Sequence, residues 1–485
     1  MSFYFTPVQL TPLDHMMPVT YIAFFYGFLL DDPQRAVPVI EDSLHRLLRA
    51  NPFLAGNLIN SNHGHEAPTV RAVYPPTVES LREFPILRVR HHEDRYMAGQ
   101  YHGSTCSDDR FSNNFLFSEA YLPVLLAAAT AQQCPIIRWQ ANIMQDGLVV
   151  AVCFHHSVLD AAGFYIIQAA LAECCREPGS ARQGPSLGAD LLKGRQRILE
   201  TGLSGGVSGG LSAGLLQDLA IADFNCAQGL ISRRLTLSPA RIAYLKTMCN
   251  ALDRGPVENN RVSSEPRQLL SSNDIISATL WLAIMRARYR PCSETLKGQS
   301  DSTQSSLILI TEIRRALIPP LPKSYIGNGI VQTATSSPIR SALEFISHPA
   351  QSPSLTANGL QVLTDLALKV HATFLCVDDA SVKTLIREKK ESIDRSPKFR
   401  QADVTSTSLR RMGVYGLDFG AVLGKVVEFD SPDNRIDGTV CMLPARMNSV
   451  PAPWEVRVTL PRGAMVRLLQ DPFMDWLMGD ASAKL

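Results

Sequence analysis

The chain is 485 residues long, 45% hydrophobic and 19% charged, with a mean hydropathy of +0.01. That length exceeds one ordinary hydrophobic core, so two domains are expected. Its 47 basic and 45 acidic residues leave a net charge of +2; with no basic stripe and no interleaved aromatics, this argues against a nucleic-acid partner.

The N-terminal stretch "MSFYFTPVQLTPLDH" lacks the basic region and long apolar core of a secretion signal. "YIAFFYGFLL" (21–30) and "YLPVLLAAATA" (121–131) are apolar but shorter than the ~20 residues that cross a bilayer. No membrane partner is expected, and a cytoplasmic monomer is the default. A C-terminal "AKL" resembles a peroxisomal tripeptide too loosely to change that. Val39, Leu44, Leu47 and Leu48 mark a helix that breaks at Asn51-Pro52. "PIIRWQANIMQDGLVVAVCFHH" reads as two strands joined at Gln145-Asp146-Gly147. The segment from Ala161 to Glu173 reads as a helix, so His155 and His156 close a strand with a helix close behind. The ten cysteines are scattered without a C-x-x-C pair, and Cys153 and Cys376 lie in apolar runs; reduced, mostly buried thiols are expected.

"TGLSGGVSGGLSAG" (201–214) cannot build a core and reads as a flexible connector. It suggests a first domain over 1–200, a crossover linker over 201–220 and a second domain over 221–485. Beyond it, "RRLTLSPARIAYLKTMCN" offers a strand, a Ser-Pro cap and a helix. "SSNDIISATLWLAIMRARYR" reads as an amphipathic helix with Ile275, Leu280, Leu282 and Met285 among its apolar positions, and "QSSLILITEIRR" as a buried strand. Strands alternating with helices on both sides of the connector give an α/β fold class. Within the connector, Ser204 and Ser212 both satisfy G-x-S-x-G. A nucleophile elbow needs a buried strand just before its serine, whereas "GRQRILET" is polar and helix-like. Serine hydrolase therefore remains a minor alternative.

The histidine pair carries the chemistry. Histidine titrates near neutrality, so His156 at a strand end can take a proton from an alcohol or amine and return it later. Asp160, four residues on, can orient the ring, bind a cation elsewhere or share a metal with His156. No third ligand is supplied by an H-E-x-x-H or a nearby carboxylate cluster, so no metal is expected. An isolated H-x-x-x-D is common, and taken alone it is better explained by a pair of hydrogen-bonded structural histidines capping a strand.

The pattern is not isolated. "FHHSVLDAAG" resembles the HHxxxDG motif of the BAHD acyltransferases. "LTPLDHMMP" (10–18) looks like the family's L-S-P-L-D segment, and "NPFLAGNL" (51–58) like Y-P-x-L-A-G-R-L. "SSNDIISATLWLAIMRAR" (271–288), "RRALIPPLPKSYIGNGI" (314–330) and "TSLRRMGVYGLDFGAVLGKV" (407–426) follow in the family's order, and "WEVRVTLPRGAMVRLLQDP" shares its C-terminal character. The variant "DFGAVLGK" is similar to the fungal branch that includes trichothecene 3-O-acetyltransferases.

That resemblance implies two chloramphenicol-acetyltransferase-like domains with a solvent channel between them, and a strand near 419–446 that returns to the first domain's sheet. It implies an acyl-CoA-dependent O-acyltransferase with no permanently bound cofactor, using acetyl-CoA as co-substrate and a small-molecule alcohol of specialised metabolism as acceptor. His156 would be the general base. Asp160 would point away from the substrate and brace the loop against Arg314, with Arg315 the alternative. Thr407 and nearby backbone N–H groups would hold the oxyanion. Asp418, Phe419, Gly420 and Gly424 would form a structural DFG segment far from the reacting atoms. CoA contacts would come mainly from the second domain, though no residue pattern identifies them. Three departures stand out: Ala161 replaces a glycine, Leu409 a tryptophan and Ala421 a second tryptophan. Were φ positive at Ala161, alanine would cost roughly 1 kcal/mol, with Gly163 in place to absorb the bend; Ala421 would leave packing incomplete. The departures also motivate a catalytically impaired acyl-CoA-binding protein of the same fold. A peptide-synthetase-type condensation enzyme shares HHxxxDG but lacks this DFG segment.

Overall fold

The computed structural model describes residues 3–60, 71–93, 95–97, 119–201, 219, 229–253, 269–289, 303–343, 356–391, 400–432, 436–446 and 451–479. Ser204, Ser212 and nearly all of the 201–220 connector lie outside them, as do Cys106, Cys226 and Cys292.

The apolar run at 21–30 and the hairpin segment at 137–155 become adjacent strands. β2 (Tyr21–Leu29) pairs antiparallel with β8 (Gly147–His155) from Tyr21 opposite His155 to Leu29 opposite Gly147. β7 (Ile137–Met144) and β8 form the hairpin expected at Gln145-Asp146, closing with Met144 opposite Gly147. All residues of β7 and β8 are buried. β8 runs nearly continuously apolar, as a strand covered on both faces does, whereas β7 carries Arg138, Gln140 and Asn142, whose side-chain N–H groups find carbonyl acceptors inside. β5 (Leu87–His91) forms the other edge of this sheet, whose order, starting from β13 (Glu428–Asp430), is β13-β2-β8-β7-β5. Helices Ala36–Ala50 and Ala161–Arg176 pack on each other beside it.

The second sheet has the order β11-β10-β12-β14-β15-β9, with β9 (Leu230–Leu237), β10 (Gln304–Glu312), β11 (Ile330–Pro338), β12 (Val404–Ser408), β14 (Thr439–Met442) and β15 (Trp454–Pro461). A smaller sheet joins β1 (Val8–Gln9), β4 (Arg71–Tyr74), β3 (Asn57–Asn60) and β6 (Gln133–Pro135). Helix Ser272–Tyr289 differs from its amphipathic reading. Asp274 through Ala287 are all buried, because helices Pro239–Asp253, Ala357–Leu375 and Arg462–Leu469 surround the faces that strand β12 does not. Helices apolar around their whole circumference belong to the inside of a domain.

The two halves interlock. β13 (Glu428–Asp430), far along the chain, pairs with β2, placing Glu428 opposite Gly27 and Asp430 opposite Phe25. Phe429 packs 5.0 Å from Phe24, ring to ring, and 5.4 Å from Tyr26. Leu409, Val414, Phe419 and Leu423 likewise belong to the first core, not the second. Beside β13 lies a buried charge cluster. Arg234 of β9 contacts Glu428, Asp430 and Glu455; Arg446 contacts Glu428 and Glu455; Arg457 meets Asp430 at 2.6 Å. Three arginines thus balance three carboxylates where the two sheets meet.

Among the described cysteines, 134, 153, 174, 175 and 249 are free and buried, while Cys441 is half-buried. Cys376 is exposed, contrary to its apolar run, because it caps the end of helix Ala357–Leu375. Among the described residues no single helix is long and apolar enough to cross a membrane.

Candidate active site

β8 ends at His155, and the two adjacent histidines meet opposite fates. His155 is fully buried. Its Nε2 donates to the Ala129 carbonyl at 3.1 Å and its Nδ1 accepts from the Ser157 N–H at 3.2 Å. Both nitrogens are used and the Nε2–H tautomer is fixed. Burial, aided by the charge of Arg71 and opposed by the Ala129 bond, pushes its pKa down to about 3. His155 is a structural residue.

His156 starts the turn. Its N–H donates to the Thr20 carbonyl at 2.9 Å, and its carbonyl accepts from Asn328 Nδ2 at 3.0 Å. The backbone is therefore gripped on both sides, and the residue as a whole is half-buried. Nδ1 is buried and has no hydrogen-bond partner among the described residues. Burial lowers the pKa, against a smaller upward pull from nearby acceptors and Asp160. An imidazole held below its ordinary value is neutral at physiological pH, which a proton acceptor requires.

Asp160 has no capacity left for a substrate. It is the N-cap of helix Ala161–Arg176, with Oδ1 accepting from the Gly163 N–H at 2.8 Å. Arg314 closes on it as a fork, Nη2 to Oδ1 at 2.8 Å and Nη1 to Oδ2 at 2.9 Å. The Gly329 N–H adds a bond to Oδ2 at 2.8 Å. Arg314 also donates to the carbonyls of Tyr325 at 3.2 Å and Gly327 at 2.7 Å. Despite burial, Asp160 and Glu312 raise its pKa further, so it stays charged. Arg315 is exposed and takes no part in this fork.

The departures from the family pattern resolve individually. Ala161 is the first residue of the helix, where backbone dihedrals are ordinary, so no strain arises. Gly163 absorbs no bend; a Cβ there would lie 1.9 Å from the Ile326 carbonyl oxygen. Its lack of a side chain lets the helix start press against the 325–329 segment. Ala421 is exposed in the short turn Gly420–Leu423, so no buried packing is missing. Leu409 is 8% exposed and packs into the first core.

The structure brings His156, Asp160 and Arg314 together and sets the DFG segment apart. Arg176, at the far end of helix Ala161–Arg176, donates to the Asp418 carbonyl at 3.3 Å. Gly420 has φ 84°, and a Cβ on it would meet Arg176 Cα at 2.8 Å. A helix of 16 residues puts this contact about 24 Å from the histidine turn. Gly424 also has positive φ, at 69°. Thr407 stands half-buried near the end of β12, opposite Cys441.

Sequence reasoning missed a second buried carboxylate at the turn. Asp14 Oδ2 accepts from the Thr11 N–H at 2.8 Å, the Thr11 hydroxyl at 2.9 Å and Arg195 at 3.1 Å. Its Oδ1 accepts from Asn328 Nδ2 at 2.9 Å. The signal was present as the capping box formed by Thr11 and Asp14. Arg71 Nη1 donates to the Ser157 hydroxyl at 2.8 Å beneath the same turn. No group of three or more metal-ligating side chains occurs among the described residues.

The model of the Transferase family matches residues 107–474, and that of the trichothecene 3-O-acetyltransferase-like N-terminal domain matches residues 19–175. The O-acetyltransferase pyr7 of Aspergillus fumigatus is 26% identical over 98% of this chain and 93% of its own length. The communesin N16 acyltransferase cnsK of Penicillium expansum is 29% identical over 98% of this chain and 99% of its own. Among solved structures, TRI101 of F. graminearum complexed with coenzyme A and deoxynivalenol superposes with a TM-score of 0.70 at 17% identity, covering 96% of this chain and 98% of that one. Vinorine synthase gives 0.59 at 14% identity, covering 98% and 96%. These structural likenesses are those of a two-domain α/β fold.

Proposed function

The chain belongs to the Transferase family of BAHD acyltransferases, and on that premise we propose that it transfers an acetyl group from acetyl-CoA to a hydroxyl of a small specialised metabolite. His156 takes the acceptor's proton as its oxygen attacks the thioester carbonyl. The tetrahedral oxyanion is held by Thr407 and neighbouring N–H groups. The C–S bond then breaks, and the imidazolium returns its proton to the departing CoA thiolate. No acyl-enzyme forms, because the thioester is already activated. A positioned base of this kind contributes typically 10²–10⁴-fold, and holding both substrates in one channel supplies much of the remainder. Asp160 and Arg314 act on the loop rather than on the substrate.

One observation carries this reading: an imidazole on a half-buried residue, held below its usual pKa, with a backbone gripped from both sides. Curated relatives named as O-acetyltransferases support the hydroxyl acceptor. A second reading, transfer to an amine, is favoured by the relative named as an N16 acyltransferase. The impaired-protein reading loses support from Ala161 and Ala421, since neither disturbs the site. Thermal unfolding with CoA, acetyl-CoA and longer acyl-CoAs is the test. A ligand at 100 times its Kd adds about 2.7 kcal/mol. The expected result is a shift with acetyl-CoA, followed by product formation with hydroxylated acceptors. No shift with any acyl-CoA overturns the proposed donor, and product from amines alone selects the second reading.

A further inference from the structure

Asn328 is fully buried against Asp14, beside the histidine turn. Chemistry assigns its amide without ambiguity. One terminal atom faces Asp14 Oδ1 at 2.9 Å and the His156 carbonyl at 3.0 Å. Both of those groups can only accept, so the atom is Nδ2 and both of its hydrogens are spent. Oδ1 is then the remaining group of Asn328, and it is buried with no hydrogen-bond partner among the described residues. His156 Nδ1 is the matching orphan, also buried and unpartnered. Two such atoms on residues already joined by a hydrogen bond are a donor and an acceptor awaiting each other, since each left alone costs about 1–3 kcal/mol.

We propose that Asn328 is a positioning residue that sets the tautomer of His156: its Oδ1 accepts from Nδ1–H, which leaves the lone pair on Nε2 as the base. Asp14 acts one step further out. By accepting from Nδ2 it prevents the amide from flipping, because a flipped Asn328 would point its oxygen at a carboxylate. Arg195 and Thr11 hold Asp14 in turn. The base thus has two braces with different tasks: Asp160 and Arg314 fix where the turn lies, and Asp14 with Asn328 fixes which ring nitrogen carries the proton. The inference deepens the reading of His156 as general base and rests on it for its catalytic meaning, but not for its structural content.

The test is two-bond ¹⁵N–¹H correlation spectroscopy on protein labelled at histidine, with His156 assigned from the spectrum of H156Q. It reports the tautomer directly and needs no turnover. The expected result is a dominant Nδ1–H form in the wild type and a shift toward Nε2–H in N328A. In the same variant kcat should fall at least tenfold with KM for both substrates little changed, and the acid limb of the kcat profile should move. Should N328A fail to fold, N328S keeps a small donor toward Asp14 but cannot reach the ring, and the same shift is expected. A dominant Nε2–H form in the wild type overturns the proposal. So does an Nδ1–H form that persists in the variants, which would assign the proton to the carbonyl of His156 itself or of Leu159. If the tautomer shifts as expected while the wild type transfers no acyl group, the positioning stands and the acyltransferase reading fails.

Discussion

Asp160 and Asp430 are both buried carboxylates gripped by arginine across the junction of the two halves. Asp160 meets Arg314 beside the histidine turn; Asp430 meets Arg457 and Arg234 where β13 joins the first sheet. The second cluster is larger, yet it contains no side chain poised to move a proton. The difference is that the fork at Asp160 fixes a turn that carries a half-buried histidine, whereas the cluster at Asp430 closes on itself. Buried ion pairs alone do not mark a site. What marks it is a titratable group that such a pair orients without consuming.

Four experiments sharpen or break that contrast. The largest effect belongs to His156→Ala, for which turnover should fall 10²–10⁴-fold while the acetyl-CoA thermal shift persists; turnover near the wild-type rate would remove the proposed base. Next, Asp160→Ala and Asp430→Ala should each cost about 3–5 kcal/mol in denaturant unfolding, because each strands buried arginine charge. The folded fraction should differ in rate: low kcat in Asp160→Ala, near-normal kcat in Asp430→Ala. Equal loss of kcat in both would erase the distinction drawn above.

Gly163→Ala comes third, destabilising by about 1–3 kcal/mol as the new methyl displaces the Ile326 carbonyl. Ala161→Gly, which restores the family residue, should instead lower stability by only about 0.5–1 kcal/mol, as glycine does in a helix. A more stable Ala161→Gly variant would contradict the helical backbone observed there. The fourth is the pH dependence of stability. His155 has a folded pKa of about 3 against an ordinary 6.5. An unfolded chain therefore binds its proton first, and stability present above pH 6.5 drains as pH falls toward 3, at about 1.4 kcal/mol per pH unit. Arg457 and Arg234 outweigh burial and hold Asp430 below its ordinary 3.8, so its contribution is intact above that pH and drains as pH falls below it toward the depressed folded value. His155→Gln should flatten the slope between pH 6 and 4 and leave the more acidic loss intact.

Much of the fold was legible because it is written in local pattern. The β7–β8 hairpin follows from Gln145-Asp146-Gly147, and the helix after His156 begins at the aspartate that caps it. The motif order also pairs Asp160 with Arg314 or Arg315, and it is Arg314 that closes on the carboxylate. Three things were not readable. The burial of helix Ser272–Tyr289 on every face depends on helices distant in sequence. Arg234, Glu428, Asp430 and Glu455 look like ordinary alternating polar positions of strands until two sheets bring them together. Asn328 sits between two glycines in "YIGNG", and nothing local says that its amide reaches back to Asp14 and His156. Long-range satisfaction of polar groups leaves no periodicity to detect.

The pairing of β13 with β2 sets a constraint on how the chain is made. During synthesis β2 and β8 can form their ladder early, but the outer edge of β2 has no strand beside it until Glu428–Asp430 emerges. At ribosomal speeds of about 5–20 residues per second, that interval lasts on the order of tens of seconds. Throughout it, Phe24 and Tyr26 lack Phe429, and an apolar strand edge stands open to neighbouring nascent chains. Yield in the cell should therefore depend on how well that edge is shielded, and a truncation ending before residue 428 should aggregate rather than fold as an independent half.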